Sequence, residues 1–151
     1  MKIYRVSFIG HRQIIGQPHL QDRLEATVRD LLRNNEYVEF YMGRNGDFDL
    51  LAASAVKAAQ KALDYKNSTL ALVLPYSVKD VEYHEKYYDE ICLPLDPKIH
   101  PKSAITKRNQ WLVDNSDLLI AYVEPDRNGG AQATLNYAKK QGVKIVNLFS
   151  E

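Results

Sequence analysis

Three loops of the sequence combine glycine with polar or charged side chains, a combination suited to binding phosphate. The first carries Gly10, His11 and Arg12, the second is GRNGD at 43–47, and the third is EPDRNGG at 124–130. Glycine lets a backbone approach a ligand closely, and the free amides at the start of a helix attract phosphate. Each glycine taken singly is equally consistent with a simple turn. Together the loops favour one shared ligand site.

Several side chains near these loops allow both a functional and a structural interpretation. His11 is a candidate acid–base group, although a single histidine is as often structural. Asp47 is predicted to cap the helix after the second loop and Asp49 to be an acid of its first turn, with a ribose-hydroxyl contact as the alternative. Tyr83 and Tyr87 stand four residues apart, a spacing that predicts packing on one helix face, with base stacking as the alternative.

Five short apolar runs predict the strands that position the loops, and several are continuously apolar, as in a parallel sheet whose strands are buried on both faces. The predicted strands are Ile3 to Ile9, Tyr37 to Tyr41, Leu70 to Leu74, Leu118 to Val123 and Lys144 to Leu148. Helical patterns alternate with them: Leu20, Leu24, Val28 and Leu31 on one face, then Phe48 to about Tyr65, Ile105 to Asn115, and Ala131 to Gln141 closed by Gly142.

This alternation predicts an α/β fold, a single Rossmann-like domain over residues 1–151. We expect a parallel sheet of about five strands in the order 3-2-1-4-5, with helices on both faces. Ligands bind such sheets outside the carboxyl ends of the strands, where the three loops fall. The segment from Pro75 to Pro101, rich in proline and tyrosine, is predicted to be a functional loop or lid with one short helix.

The composition excludes several classes of protein. The 151 residues include 20 Lys and Arg against 19 Asp and Glu, a net charge of +1 that disfavours an extended nucleic-acid surface. The placement of five side chains at the carboxyl end of the sheet nevertheless predicts a locally positive cleft: His11, Arg12, Arg44, Lys107 and Arg108. Cys92 is the only cysteine, so neither a disulfide framework nor a structural metal is expected. The sequence shows no signal peptide and no membrane span, and we expect a cytoplasmic protein without a membrane partner.

Familiar catalytic motifs are missing from the sequence. The phosphate-binding loop of nucleoside triphosphatases, the GxGxxG fingerprint of nicotinamide cofactors and the nucleophile elbow of hydrolases do not occur. No catalytic residue and no cofactor are therefore assigned from motifs.

An ordered series of segments resembles the SLOG group of Rossmann-like proteins, which includes YpsA-like proteins, LOG phosphoribohydrolases and the DNA-processing protein DprA. The segments are FIGHR at 8–12, YMGRNGDFDLLAASAV at 41–56, LALVLPY at 70–76, AITKRNQWLVDNSDLLIAYV at 104–123 and NGGAQATLNYAKKQGVKIVNL at 128–148. Within the group the chain is most similar to the compact YpsA-like branch of bacteria and their mobile elements. The resemblance implies that the chain binds a nucleotide or nucleotide-derived ligand. The resemblance to LOG proteins also implies that the chain forms a homodimer.

The resemblance assigns ligand-binding positions to the three loops and to the third helix: Gly10, His11, Arg12, Gly43, Asn45, Gly46, Asp47, Arg108, Asn109, Gly129, Gly130, Ala131 and Thr134. Phosphate would lie at the last four. The LOG signature PGGxGTxxE ends in a catalytic glutamate, and aligning its glycines with Gly129 and Gly130 places Asn136 there. A neutral amide cannot act as a carboxylate acid or base. The departure disfavours LOG-type catalysis.

Four functions stay open at this point. The first is binding or sensing of a nucleotide-derived ligand, such as an ADP-ribose-like molecule or a nucleoside monophosphate. The second is N-glycosidic hydrolysis, with His11, Asp47 or Glu124 as acid–base candidates and Arg108 holding phosphate. The third is single-stranded nucleic-acid binding, which the charge balance disfavours. The fourth is a purely structural or partner-binding role.

Overall fold

The apolar runs form a parallel six-stranded sheet in the computed structural model, which describes the backbone of residues 1–150 and the side chains of residues 1–149. Its strands are β1 Ile3–Gly10, β2 Tyr37–Met42, β3 Ser68–Val73, β4 Glu90–Cys92, β5 Leu118–Tyr122 and β6 Lys144–Asn147. The strand order is β4-β3-β2-β1-β5-β6, and every neighbouring pair is parallel. The predicted α/β class and parallel sheet are confirmed.

The predicted count of five strands is wrong, and the strand order changes with it. The additional strand, β4, is only three residues long and lies inside the segment that was predicted to be a loop or lid with one short helix. It pairs with β3 at the sheet edge, where Asp89 bonds Leu70 through both its amide and its carboxylate, each at 2.8 Å. A strand this short gives no readable alternation in the sequence.

Five helices of very different length connect the strands: α1 Leu20–Asn34, α2 Asp47–Leu63, α3 Val81–Glu85, α4 Pro101–Asp114 and α5 Gly130–Gln141. Helices α1 and α2 cover one face of the sheet, and α4 and α5 cover the other. Helix α4 begins four residues earlier than predicted because Pro101 occupies its first turn and His100 Nδ1 accepts from the amide of Lys102 at 3.1 Å. Gly142 ends α5 with a φ of 73°, as predicted.

The core explains why the helices lie where they do. Leu20, Leu24, Val28 and Leu32 of α1 are buried, so the buried stripe ends at Leu32 and the predicted Leu31 lies at its edge. Alanines of α2 let that helix approach the sheet closely. The chain turns in opposite directions after β1 and β5, which are adjacent strands. A cleft opens at the carboxyl ends of such strands.

Candidate functional site

A cleft of about 400 Å³ opens at the carboxyl ends of β1, β2 and β5. Most of the predicted ligand-binding residues line it: Gly10, His11, Arg12, Gly43, Asn45, Arg108, Asn109, Gly129, Gly130 and Ala131. Gly46, Asp47 and Thr134 do not. The lining also includes residues that were not assigned to the site: Ile9, Asp49, Ile105, Arg127 and Asn128.

The start of α2 is closed by the loop after β1. The carbonyl of Arg12 accepts from the amide of Asp47 at 2.8 Å, and the carbonyl of His11 accepts from the amide of Phe48 at 3.4 Å. Asp47 is the first residue of the helix rather than its cap, and its carboxylate accepts from the amide of Ile14 at 2.9 Å. These two amides are therefore bonded to a neighbouring loop and are not free to bind phosphate.

Three glycines of the first two loops make room for protein atoms rather than for a ligand. A Cβ on Gly10 would lie 2.5 Å from carbon atoms of the buried Phe48 side chain, and one on Gly46 would lie 2.9 Å from the carbonyl oxygen of Arg12. A Cβ on Gly43 would lie 2.5 Å from Nη1 of Arg108. At these positions the missing side chain makes room for a helix residue, a loop and a guanidinium group, and the assignment of these glycines to a ligand site stays a prediction.

His11 ties two loops of the cleft together. Its Nε2 accepts from the amide of Glu124 at 2.9 Å, and the side chain is only 5% exposed. Burial, and then the charge of Arg127, lowers the pKa of His11, while Glu124 acts in the opposite direction. A neutral ring that accepts at Nε2 carries its proton on Nδ1. The Nε2 lone pair is thus engaged in holding the loop after β5.

Arg108 is a buried cation in the cleft wall. Its guanidinium donates from Nη1 to the carbonyl of Val73 at 2.8 Å and from Nε to Oδ1 of Asn109 at 3.0 Å. Burial lowers the pKa of Arg108, and the charge of Asp49 opposes that effect. A buried charge is stable only when it is paired and hydrogen-bonded. The two bonds and the nearby carboxylate supply those partners.

Asp49 is the carboxylate of the cleft, and the sequence predicted it to be an acid of the helix start, with a ribose-hydroxyl contact as the alternative. Its Oδ2 accepts from the amide of Asn45 at 2.9 Å. Burial raises the pKa of Asp49, while the Asn45 amide and the Arg108 charge lower it. Its position in the first turn of α2 was the available signal, but a first-turn acid is ordinary in helices, so only the fold shows that it faces the cleft.

The start of α5 is the open part of the cleft. Gly129 has a φ of 147°, and a Cβ built on Gly129 or Gly130 would meet no atom within 4 Å. The backbone amides of Gly130, Ala131 and Gln132 donate to no acceptor among the described residues. Thr134 is buried and donates to the carbonyl of Gly130 at 2.8 Å, so its hydroxyl supports the helix instead of the cleft.

The other predicted acid–base candidates and the tyrosines lie outside the cleft. Glu124 pairs with Arg127 at 3.1 Å and does not line it. In the 75–101 segment, which contains α3 and β4, Tyr83 is 68% exposed and Tyr87 lies beneath the ammonium of Lys57. Neither tyrosine lines the cleft.

Two absences hold for the residues that the structure describes. They contain no group of three or more His, Cys, Asp or Glu side chains placed to hold a metal ion. None of their helices has both the length and the apolar character to cross a membrane.

Comparisons with known proteins identify the fold. No protein family and no curated protein matches the sequence. The structure is similar to DNA processing protein A (DprA) from Streptococcus pneumoniae, with a TM-score of 0.68, 16% identity, and coverage of 95% of this chain and 49% of that one. It is also similar to the structural genomics target TM1055, with a TM-score of 0.58, 16% identity, and coverage of 94% and 72%. The chain thus spans about half the length of the DprA structure.

These likenesses show that the chain shares its parallel α/β fold with DprA and TM1055. They carry no information about a ligand, since identity of 16% is too low to transfer one. The assignment to the SLOG group and to its YpsA-like branch stays a prediction.

Proposed function

We propose that this chain is a cytosolic module that binds a nucleotide or a nucleotide-derived ligand in the cleft, with phosphate at the start of α5. The observation that carries the proposal is the open glycine pair of α5, where three successive amides lack an acceptor among the described residues. Free amides and the positive end of a helix dipole form an anion site. The 12-residue length of α5 is sufficient to give that dipole its full effect.

Charge and size support the same ligand class. Arg12, Arg108 and Arg127 line the cleft against the single carboxylate of Asp49. A cavity of about 400 Å³ lies in the range that small-molecule sites occupy. Asp49 and Asn109 also line the cleft and provide polar groups for the hydroxyls or the base of a nucleotide.

Isothermal titration calorimetry with adenosine, AMP, ADP and ADP-ribose tests the proposal. We expect the phosphorylated compounds to bind and adenosine to bind at least about tenfold more weakly, because it lacks the group that the α5 amides hold. Failure of every compound to bind a folded sample, checked by its melting temperature, would refute the proposal.

A pair of variants on α5 tests whether the ligand binds at the start of this helix. Gly130→Val fills the open space of the cleft, so we expect nucleotide binding to fall by at least about tenfold. Ala133→Val adds similar bulk at an exposed position of the same helix, and it should leave affinity unchanged. Equal affinities for the two variants would show that phosphate does not lie at α5.

N-glycosidic hydrolysis is a second candidate, and Asp49 is the observation that favours it. This carboxyl lies in the cleft beside Arg108, with its pKa raised by burial, as expected of a general acid. Chromatographic detection of free base from AMP tests it. Asp49→Asn should abolish base release while nucleotide still binds; an Asp49→Asn variant with full activity, or a wild type without activity, would reject this candidate.

Nucleic acid and self-association are separate questions for the same sample. The name DNA processing protein belongs to DprA, and the net charge of +1 here favours a small ligand over DNA. A salt-sensitive gel shift of a single-stranded oligonucleotide at micromolar protein would reverse that preference. The homodimer implied by the LOG resemblance is checked by sedimentation equilibrium.

A further inference from the structure

The loop between β5 and α5, residues 124–129, leads into the open start of α5. Within the loop, Arg127 donates its amide to the carbonyl of Glu124 at 3.2 Å and its guanidinium to the Glu124 carboxylate at 3.1 Å. Among the described residues, one hydrogen bond joins the loop to an element other than α5: the amide of Glu124 donates to Nε2 of His11 at 2.9 Å. The position of the loop in the cleft therefore depends on His11.

This hydrogen bond requires a neutral His11 ring. A protonated imidazole donates from both nitrogens and has no lone pair left at Nε2, so it cannot accept from an amide. The side chain is buried, and its ring lies edge-on to Tyr122 at a centroid distance of 6.4 Å. When the packed ring gains a proton, its Nε2–H therefore faces the N–H of Glu124, and two donors oppose each other.

The surroundings of His11 favour the neutral ring at pH 7. Burial, and then the charge of Arg127, holds the pKa of His11 below 6.5, and the Glu124 carboxylate acts in the opposite direction. The titratable and charged groups on the elements around the ring are Arg12 on its own loop, Asp47 on α2, Tyr122 on β5, and Glu124 and Arg127 on the loop after β5. Moderate acidification is thus needed to protonate the ring.

We propose that His11 makes phosphate binding at the start of α5 sensitive to pH: the neutral ring holds the loop after β5 in its binding position, and the protonated ring releases it. This inference rests on the proposed function and concerns the regulation of that same site. Because the ligand binds the protein with a neutral ring more tightly, affinity falls as the ring gains its proton. The opposite sign is expected of a histidine that binds phosphate as a cation.

Calorimetry at pH 8 and pH 5 tests the inference on the wild type, His11→Gln and His84→Gln. The ligand is whichever of AMP, ADP and ADP-ribose binds the wild type most tightly at pH 8. Glutamine at position 11 supplies a neutral oxygen acceptor that gains no proton in this range. His84 is also buried, at 3% exposed, but it lies in α3 and does not line the cleft, so His84→Gln is the matched control.

The expected result is a difference between variants. On going from pH 8 to pH 5, the wild type and His84→Gln should lose at least about threefold more affinity than His11→Gln, as one hydrogen bond allows. A phosphate monoester changes its own charge near pH 6, and burial raises the pKa of Asp49 in the cleft. Both effects are present in all three proteins, so the comparison isolates the contribution of position 11.

The outcomes separate the inference from the proposal beneath it. Equal losses in the wild type and His11→Gln, or a wild type that gains affinity at pH 5 relative to His11→Gln, overturn the inference alone. The same holds if His84→Gln removes the pH dependence as His11→Gln does. Binding of none of the three ligands at pH 8 overturns the proposed function and the inference with it.

A second measurement decides the matter if His11→Gln does not fold. In NMR spectra of the wild type without ligand, the Glu124 amide resonance should shift with the same midpoint as the His11 ring, because the two groups share one hydrogen bond. A Glu124 amide that does not respond to this titration would overturn the inference.

Discussion

Gly43→Ala is the substitution that most directly tests how the cleft wall is built. A Cβ at this position would lie 2.5 Å from Nη1, 2.9 Å from Cζ and 3.0 Å from Nη2 of Arg108. The guanidinium is 2% exposed and bonded to the carbonyl of Val73, so it cannot swing away into water without breaking that bond. The methyl group must therefore displace a buried, hydrogen-bonded cation.

The expected size of the effect follows from that one bond. A hydrogen bond to a charged group contributes about 1.5–3 kcal/mol, and its loss leaves the carbonyl of Val73 unpaired. For a chain of this size each kcal/mol lowers the melting temperature by about 2–4 °C, so Gly43→Ala should lower it by about 3–12 °C. Gly130→Ala makes the same chemical change in open space, and we expect its melting temperature to stay level or rise slightly.

Differential scanning calorimetry of the two variants decides the matter. A double-mutant cycle tests whether Arg108 is the cause. In an Arg108→Met background the methyl group meets no guanidinium, so Gly43→Ala should lower the melting temperature measurably less there. A Gly43→Ala protein that melts with the wild type would show that Arg108 does not lie against this backbone, and the description of the cleft wall would be wrong.

Three further predictions concern the same cleft. Gly10→Ala should destabilise by about 1–3 kcal/mol in urea unfolding, because its Cβ meets the fixed Phe48 side chain, and an unchanged midpoint would contradict that contact. The lowered pKa of His11 means that the unfolded chain binds its proton more readily, so stability should fall as pH drops below about 6.5. His11→Gln should reduce the change in melting temperature between pH 5 and pH 7.5. An equal change in the wild type and the variant would count against the Nε2 hydrogen bond. Thr134→Val should leave nucleotide affinity, measured by calorimetry, within about twofold of the wild type, because the Thr134 hydroxyl donates to a carbonyl of its own helix. A tenfold loss of affinity would show instead that this hydroxyl contacts the phosphate.

The strands and helices were predictable because their apolar runs are long and buried. The helix from Leu20 and the strand from Leu118 carry enough periodic or continuous apolar residues to be read directly. Strand β4 was not predictable, since three residues pair at a sheet edge through tertiary contacts rather than through a pattern of their own. Asp49 was predicted to be an acid of a helix start, with a ribose contact as the alternative, and only the fold shows that it lines a cleft near Arg108.

The glycines show where sequence reasoning ends. Gly10 ends β1, Gly43 follows β2 and Gly130 begins α5, yet the sequence alone gives all three the same interpretation. They differ in the group that fills the place of the missing side chain: the phenyl ring of Phe48 at Gly10, the guanidinium of Arg108 at Gly43, and no group at Gly130. That group comes from a distant part of the chain in the first two cases. Substitutions on the packed side of the cleft should therefore reduce stability first, and substitutions on the open α5 side should reduce affinity first.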